Sequence, residues 1–314
     1  MNKLNVKLLL LTAFAVLAVS CGKKEGVIDR DNRIDGVVAI ESGYLDNQLY
    51  YSTGEFVEED WHWDGKMMYR IDYRGDHPYS ENFFYDGRRL ERTTVPAYGI
   101  RSEFFYDGRQ LEHIDFFRND SNYMTVRFTH DDGQLSEIVV DYFSNEVDTS
   151  VVAVAMHSNP LAALLGAELA SKLEAQSIER FCASNGKGVR TQQTRYELTW
   201  TDNNVTAIKC TDADGVHKIA LTYDDKRNPY NQLFGYRELS DPMFGFEMLS
   251  ENNITSIRMP YRFSANQLFS YSYEYDGSIP TKRTLTYSYP VVNGQNFDSA
   301  MYKYVKVETF KYVE

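Results

Sequence analysis

Short stretches in which apolar and polar residues alternate recur along the chain, and tight-turn residues separate them. The clearest is residues 104–112, where two Phe and a Tyr lead into Asp107-Gly108 and a mostly polar run containing Leu111 leads away. Residues 83–91 repeat this order closely. Because Asp and Gly tolerate positive φ angles, an Asp-Gly pair between such stretches predicts a β-hairpin with a type I′ turn. A loop formed by Asp107 and Gly108 would place Tyr106 opposite Arg109.

The hairpin unit returns through most of the sequence. Turn glycines at positions 65, 87, 108 and 133 are 22, 21 and 25 residues apart, which suits one two-stranded hairpin plus a connection to the next. Weaker copies follow at residues 200–205, 212–215, 223–225, 251–254 and 275–277. Two strands for each turn predict an all-β, antiparallel up-and-down meander on the order of sixteen strands.

A meander of this size predicts a curved sheet. A flat sheet would leave two unpaired edges and an uncovered face. We therefore expect a barrel or half-barrel, with a split into packed layers as the alternative. Charged residues such as Arg88 and Glu112 interrupt both faces of the predicted strands. A membrane-spanning barrel needs a continuous apolar outer band, so we expect this barrel to lie in water.

Residues 160–181 break the strand pattern and predict one inserted helix. Ser158-Asn159 precede Pro160, as is typical of a helix N-terminus. Leucines then recur at four-residue spacing, at positions 161, 165, 169 and 173. We expect this apolar stripe to cover a barrel mouth or one sheet face. A partner-binding helix is an alternative, as are two half-sheets joined at the helix.

The N-terminus predicts a lipoprotein signal peptide over residues 1–20. Lys3 and Lys7 precede an apolar run over residues 8–19 that is too short for a comfortable membrane span. Small residues then lead to Cys21, as at the lipidation site of bacterial lipoproteins. An ordinary secretory signal followed by a chance cysteine is the alternative. Residues 21–35 are polar and predict a flexible tether, which leaves residues 36–314 as a single β domain.

Lipid on Cys21 would anchor the protein to a membrane while its domain stays in water. Position 22 is Gly rather than Asp, which by resemblance to known lipoprotein sorting indicates the outer membrane, on either side of it. The formal charge of −12 repels phosphate backbones, so nucleic acid is not an expected partner.

Aromatic residues supply the candidate binding site. Trp61 and Trp63 would share one face of a strand, with Tyr69 and Tyr73 nearby. Exposed and coplanar, they would form a platform for a sugar ring or a peptide. Packing of these rings in the core is the alternative.

The sequence contains no catalytic motif. Its six histidines do not pair at metal-ligand spacings, and no GxSxG, P-loop or GxGxxG motif is present. We therefore expect no metal and no cofactor. Carboxylates are abundant, so a glycosidase-like acid pair remains an alternative. Cys182 and Cys210 would form a disulfide after export or remain two buried thiols.

The segment leading to Cys21, the Tyr-Asp-Gly hairpins and residues 223–230 resemble a family of uncharacterised Bacteroidetes lipoproteins. Rhs-type repeat proteins also place Tyr-Asp before Gly, but the single helix and the modest length fit the lipoprotein family better. The resemblance covers most of the chain from residue 36 and implies a porin-like fold with no assigned activity. We expect a non-enzymatic, lipid-anchored outer-membrane protein that binds a glycan or protein partner or serves a structural role. The alternative is a hydrolase acting on glycans of the envelope.

Overall fold

The computed structural model describes residues 33–74, 78–143, 192–212, 215–233, 249–261, 264–293 and 296–313. These residues form seventeen β-strands in one sheet. The strands are β1 (Ile34–Leu45), β2 (Gln48–Ser52), β3 (Phe56–Asp64), β4 (Met67–Tyr73), β5 (Tyr79–Asp86), β6 (Arg89–Val95), β7 (Ile100–Asp107), β8 (Gln110–Arg118), β9 (Ser121–Asp131), β10 (Gln134–Tyr142), β11 (Gln192–Thr201), β12 (Asn204–Asp212), β13 (Gly215–Arg227), β14 (Asn252–Tyr261), β15 (Ser264–Asp276), β16 (Ile279–Asn293) and β17 (Asn296–Tyr312). Short 3₁₀ turns occupy Pro96–Tyr98 and Pro229–Leu233.

The strands close into an antiparallel barrel. Each strand from β3 to β16 pairs with the next along the chain, and β17 returns to pair with β1. The other edge of β1 pairs with β2 along its last residues and with β3 along its first, so these two strands share one position in the wall. Seventeen strands therefore fill sixteen positions. The predicted meander is confirmed as a closed barrel, and the half-barrel alternative is excluded.

Several predictions concern parts of the chain outside the described residues. These are the signal peptide at 1–20, Cys21 and most of the tether, the helix near 160–181, and Cys182. β1 begins at Ile34, two residues before the predicted start of the domain. Among the described residues, no helix is long and apolar enough to cross a membrane.

Several hairpin turns begin one residue later than predicted. Asp107 pairs with Gln110, so the loop consists of Gly108 and Arg109, and only Gly108 has positive φ (59°). Positive φ at the first loop position alone is the pattern of a type II′ turn, which favours Gly there. The predicted type I′ turn is therefore wrong at this hairpin and at those starting with Gly65, Gly87 and Gly277. Positive φ at both loop positions, as type I′ requires, occurs at residues 46–47, 119–120, 132–133 and 202–203.

A β-bulge accompanies these turns on the return strand. In the β7–β8 hairpin, Tyr106 faces Leu111, and the bulge residue Glu112 separates this pair from the next one. The predicted pairing of Tyr106 with Arg109 is wrong because the loop lies one residue further along. An extra residue reverses the alternation of side chains, so Leu111 and Ile114 both point to the buried side.

The repeated tyrosines join consecutive hairpins. The Tyr106 hydroxyl donates a 2.9 Å hydrogen bond to the carbonyl oxygen of Leu90, beside the bulge of the preceding hairpin. Equivalent bonds run from Tyr85, Tyr223 and Tyr273 to the carbonyl oxygens of Met68, Val205 and Ile254. The bulge interrupts the strand ladder at these carbonyls, and the tyrosine supplies a donor. This contact gives a structural reason for the Tyr in the first two Tyr-Asp-Gly copies, whereas the Tyr275 hydroxyl of the third copy donates to Asp224.

Replacing Tyr106 by Phe should lower the free energy of unfolding by about 1 kcal/mol, because the ring remains while the carbonyl of Leu90 loses its hydroxyl donor. Urea unfolding followed by tryptophan fluorescence measures this loss. The control is Tyr50→Phe at a side chain that is 72% exposed, where we expect a change within about 0.5 kcal/mol. Equal stability losses in the two variants would contradict the assigned role.

The connection between β13 and β14 shows which face of the wall points inward. The ring of Tyr230, in the 3₁₀ turn Pro229–Leu233, lies 6.3 Å from that of Trp61 in β3 and 5.9 Å from that of Phe310 in β17. A turn after β13 reaches those distant strands only by crossing the barrel interior. The buried side of the strands is therefore the inner side, and one hydrophobic cluster lines it along the wall.

The outer side of the wall carries charged side chains along the strands. Cross-strand ion pairs join Arg195 to Glu137 at 3.0 Å and Lys282 to Glu274 at 2.8 Å, and Lys209 also pairs with Glu197. On these strands the charges interrupt the continuous apolar outer band that a membrane-spanning barrel needs.

Candidate functional site

The two tryptophans of the predicted platform pack within the barrel. Trp61 is 2% exposed and stacks on Trp63, with 6.3 Å between ring centroids and an interplanar angle of 29°. The indole nitrogen of Trp61 donates to Glu59 at 2.8 Å, and that of Trp63 donates to the carbonyl oxygen of Ile34 at 2.9 Å. These contacts place the pair in the core rather than on an open surface.

The two tyrosines of the predicted platform lie on opposite sides of β4. Tyr69 is 47% exposed on the outside, and its ring is 5.9 Å from that of His62. Tyr73 is buried inside and stacks on Tyr79 at 4.4 Å. The four predicted residues therefore do not share one surface.

A group of charged side chains lies on the inner side of β3, β16 and β17. We call Glu58, Glu59, Arg283, Lys306 and Glu308 the inner charged cluster. Arg283 donates two hydrogen bonds to the Glu308 carboxylate, at 2.5 and 3.0 Å. Lys306 lies 2.5 Å from a Glu58 oxygen and 3.4 Å from a Glu308 oxygen.

A bulge in β3 brings two neighbouring carboxylates into this cluster. Glu59 pairs with Val37 of β1 while Val57 pairs with Val38, so Glu58 is the extra residue. Residues adjacent in a regular strand point to opposite faces, but a bulge lets both turn to the same side. Their contacts with Lys306 and Trp61 show that both Glu side chains turn inward.

Burial and neighbouring charges set different protonation states within the cluster. Burial, followed by repulsion from Glu58, raises the pKa of Glu59 to about 8. Burial also acts to raise the pKa of Glu308, but Arg283 and Lys306 outweigh it and lower that pKa to about 2. Burial alone would lower the pKa of Lys306, whereas the carboxylates of Glu58 and Glu308 raise it above its ordinary value. At neutral pH, Glu59 is mostly protonated while Glu308 and Lys306 are charged.

The neutral Glu59 and the ionised Glu308 within one cluster resemble the acid and base of a hydrolase. A glycosidase also needs both groups to reach the bond of a bound sugar. Here both glutamates are 5% exposed, Arg283 holds Glu308 through two hydrogen bonds, and Trp61 donates to Glu59. This arrangement balances buried charge inside the barrel and leaves no accessible acid pair among these described residues.

The outer side of β3–β5 carries a second polar group, centred on Asp72. Its carboxylate accepts hydrogen bonds from Ser80 at 2.5 Å and Arg70 at 2.6 Å, and lies 2.9 Å from His62 Nε2. Burial acts to raise the pKa of Asp72, but these three hydrogen bonds lower it to about 2. A nucleophile and base would have to contact each other, whereas here Ser80 and His62 both contact the carboxylate. The group is a cross-strand ladder.

Two remaining predictions concern metals and cysteines. Within the part of the chain that the structure describes, no three His, Cys, Asp or Glu side chains are arranged to hold a metal ion. Cys210 is 4% exposed on the inner face of β12. Because Cys182 lies outside the described residues, their disulfide stays a prediction.

Sequence reasoning missed the inner charged cluster. A weak signal was present in β17. Every second residue of this strand points inward, and Lys306 and Glu308 occupy such positions between the buried Tyr304 and Phe310. A charged residue at an inward-facing strand position indicates a buried ion pair, but it does not identify the partner residue.

Comparisons with known proteins match this chain to solved structures only. No protein family and no curated protein matches the sequence. Among solved structures, a porin-like protein from Bacteroides uniformis aligns with a TM-score of 0.48 and 10% identity, over 90% of this chain and 97% of that one. A porin-like protein from Bacteroides vulgatus aligns with a TM-score of 0.35 and 9% identity, over 90% and 99% of the respective chains. The barrel architecture itself rests on this chain's own strand pairing.

Proposed function

We propose that this protein is a non-enzymatic, lipid-anchored binding module of the outer membrane that meets its partner on the outside of the barrel. The observation that carries the proposal is that packed side chains occupy the inner face of the barrel wall. Buried side chains line that face, and Tyr230 crosses the interior to reach β3 and β17. The outside carries the exposed charged and aromatic side chains that a glycan or protein would contact.

The position of Arg33 supports an anchor at one end of the barrel. Its guanidinium donates to the carbonyl oxygen of Gly65, and its own carbonyl accepts from the amide of Val313 at 2.9 Å. The chain thus enters the barrel at the rim that carries the turn at Gly65, which we call the tether rim. Residues 21–32 reach at most about 40 Å when fully extended. A lipid on Cys21 would hold the tether rim within that distance of the membrane.

Replacing Cys21 by Ser should move the protein from the membrane fraction to the soluble fraction, because the acyl chains would have no attachment site. Cell fractionation and incorporation of labelled palmitate in the native host measure the effect. Globomycin should cause the unprocessed precursor of the wild type to accumulate. Cys210→Ser is the control and should remain in the membrane fraction. Membrane association of the Cys21→Ser variant at the wild-type level, without acylation of the wild type, would refute lipid anchoring.

A further inference from the structure

Part of the outer wall carries no charge along two adjoining rows of side chains. The rows cross β1, β17, β16 and β15, and their members alternate along the strands with inward residues such as Lys306 and Tyr287. The first row consists of Ile40, Val307, Thr284 and Ser272, and the second consists of Ser42, Val305, Thr286 and Ser270. We call these eight residues the uncharged strip.

Acidic side chains occupy comparable outward positions on other parts of the wall. Glu103 faces Asp115 across β7 and β8, and Glu137 faces Glu197 across β10 and β11. An anionic surface repels these parts of the wall. The uncharged strip has no charge to be repelled, and its valines and isoleucine offer apolar contact area.

Lysines border the uncharged strip at both ends. Lys303 follows the strip towards the rim opposite the tether rim, and its ammonium lies 5.8 Å from the ring centroid of Tyr44. Lys282 and the exposed Lys311 follow the strip towards the tether rim. Lys282 already pairs with Glu274 at 2.8 Å. Lys303 and Lys311 are therefore the two lysines at the ends of the strip that suit an external anion.

The sequence around the uncharged strip is basic within an acidic chain. Residues 252–314, which include three of the four strands, contain seven Lys and Arg against five Asp and Glu, a net charge of +2. Residues 1–251 carry −14. Anionic lipid headgroups attract basic segments, while uncharged and apolar residues between the cations contact the boundary of the acyl chains. A Lys side chain suits this boundary because its stem lies along apolar surface while its ammonium reaches the phosphates.

The chain enters the barrel at one end of the uncharged strip. Arg33 immediately precedes β1, and its carbonyl oxygen accepts a hydrogen bond from the amide of Val313, just after β17. Ile40 is seven residues beyond Arg33, which is about 23 Å along a strand. Residues 21–32 span at most about 40 Å when extended. A lipid on Cys21 therefore reaches the membrane even when the strip, rather than the tether rim, faces it.

The size of this surface favours a membrane over a second copy of the chain. Four strands at about 4.8 Å each and eight residues of β17 at about 3.3 Å each cover on the order of 500 Å². A specific protein interface buries about 800 Å² on each partner. A membrane contact needs no such area, because the lipid anchor would hold the barrel at a high effective concentration beside the bilayer.

We propose that the uncharged strip lies on the surface of an anionic membrane, with Lys303 and Lys311 at the level of the lipid phosphates. The barrel then lies on its side, and the parts of the wall that carry Glu103 and Glu137 face away from the lipid. This inference rests on the proposed lipid anchor and states which part of the wall that anchor brings to the membrane. The remaining outer wall stays open to a glycan or protein partner.

Lysine footprinting of the acylated wild type tests this orientation. The protein is purified from membranes and either added to preformed vesicles of phosphatidylethanolamine and phosphatidylglycerol or kept in dodecyl maltoside micelles. Acetylation by a water-soluble N-hydroxysuccinimide ester is followed by mass spectrometry. We expect Lys303 and Lys311 to react at least about fivefold more slowly in vesicles than in micelles, and high salt should reduce this protection. Lys209 and Lys218, which point outward on β12 and β13, should react at similar rates in both.

Val307→Glu should abolish the protection, because it places a carboxylate in the middle of the uncharged strip. Thr284→Glu, at the position that pairs with Val307, tests the same contact if the first variant does not fold. Val216→Glu is the matched control at a valine that is 58% exposed on β13, and it should keep the wild-type protection. Far-UV circular dichroism and Tm identify the variants that remain folded.

Several outcomes would overturn the inference. Equal rates in vesicles and micelles would do so, as would protection that persists in the folded Val307→Glu or Thr284→Glu variant. Protection of Lys209 and Lys218 instead would place another part of the wall on the membrane. Protection in micelles that rises with protein concentration would assign the strip to contact between copies. Flotation of the wild type with vesicles tests the anchor separately, so a failed anchor and a failed orientation are distinguishable.

Discussion

Replacement of Arg283 by Ala is expected to lower the free energy of unfolding by about 3–5 kcal/mol. Arg283 and Glu308 are 9% and 5% exposed and share two hydrogen bonds. Removing the guanidinium leaves the ionised Glu308 with Lys306 at 3.4 Å as its remaining cation in the inner charged cluster. Chemical denaturation at pH 7, followed by fluorescence of the buried Trp61, measures the change.

Lys282 provides a matched control in the same strand. It pairs with Glu274 on the outer face at 2.8 Å, and its side chain is 37% exposed. Exposed ion pairs contribute little to stability, so Lys282→Ala should cost no more than about 1 kcal/mol. If the Arg283→Ala and Lys282→Ala variants lose similar amounts of stability, the buried ion pair contributes no more to the free energy of unfolding than an exposed one does.

The wild type should lose stability as the pH rises from about 4.5 to about 8, because of Glu59. Its ordinary pKa of 4.5 rises to about 8 in the folded protein, so the folded state holds a proton that the unfolded state releases in this interval. The stabilisation is fully present below pH 4.5 and is lost as the pH passes 8. A shift of this size corresponds to on the order of 5 kcal/mol at full effect.

Glu59→Gln should flatten this decline, since the amide stays neutral and still offers an oxygen to the Trp61 indole. The variant should still lose stability at low pH, because that loss comes from Glu308. Arg283 and Lys306 lower the pKa of Glu308 to about 2, so its stabilisation is present above pH 4.5 and disappears as the pH falls towards 2. Denaturation at unit pH intervals from 3 to 9 distinguishes the two limbs. A Glu59→Gln variant with the wild-type decline above pH 4.5 would show that Glu59 is ionised at neutral pH.

These two variants probe a feature that is unusual for a filled barrel. The interior combines an extensive apolar cluster with cations and carboxylates from three strands. Charges in such a place are tolerated only when paired or neutralised. The cluster uses both routes: Arg283 pairs with Glu308, and Glu59 takes up a proton.

The repeat separates structural residues from candidate binding residues. Tyr85 and Tyr223 make the same contact as Tyr106, because the carbonyl beside each of these bulges needs a hydrogen-bond donor. Phe105, the neighbour of Tyr106, is replaced by Thr at the matching positions 129 and 199. A tyrosine that makes the same hydrogen bond in several hairpins stabilises the barrel wall, whereas Phe105 is not required by the hairpins that carry Thr in its place.

Local patterns in the sequence were sufficient for the order and type of the elements. Alternating apolar positions and turn residues predicted an antiparallel meander, and the 21–25-residue period predicted one hairpin per repeat. The exact loop was not predictable in this way. Asp and Gly both tolerate positive φ, so the Asp107-Gly108 pair alone does not decide whether the loop starts at its first or second residue.

The candidate platform of Trp61, Trp63, Tyr69 and Tyr73 shows that local spacing also does not decide whether a strand face is buried or exposed. The spacing of Trp61 and Trp63 correctly places both rings together, since they stack at 6.3 Å. Whether that face points into the barrel depends on the bulges and on how the sheet closes. The bulge at Tyr69 reverses the alternation in β4, which is why Tyr69 lies outside while Tyr73 lies inside.

By itself, the sequence determined the hairpin unit, its repetition and the antiparallel connection of neighbours, because each depends on residues a few positions apart. Tertiary structure alone decided the closure of β17 on β1, the inward side of each strand and the inner charged cluster. Lys306 and Glu58 are 248 residues apart in the chain and 2.5 Å apart in the barrel. Contacts of that separation follow from ring closure of the whole sheet, and no local pattern encodes them.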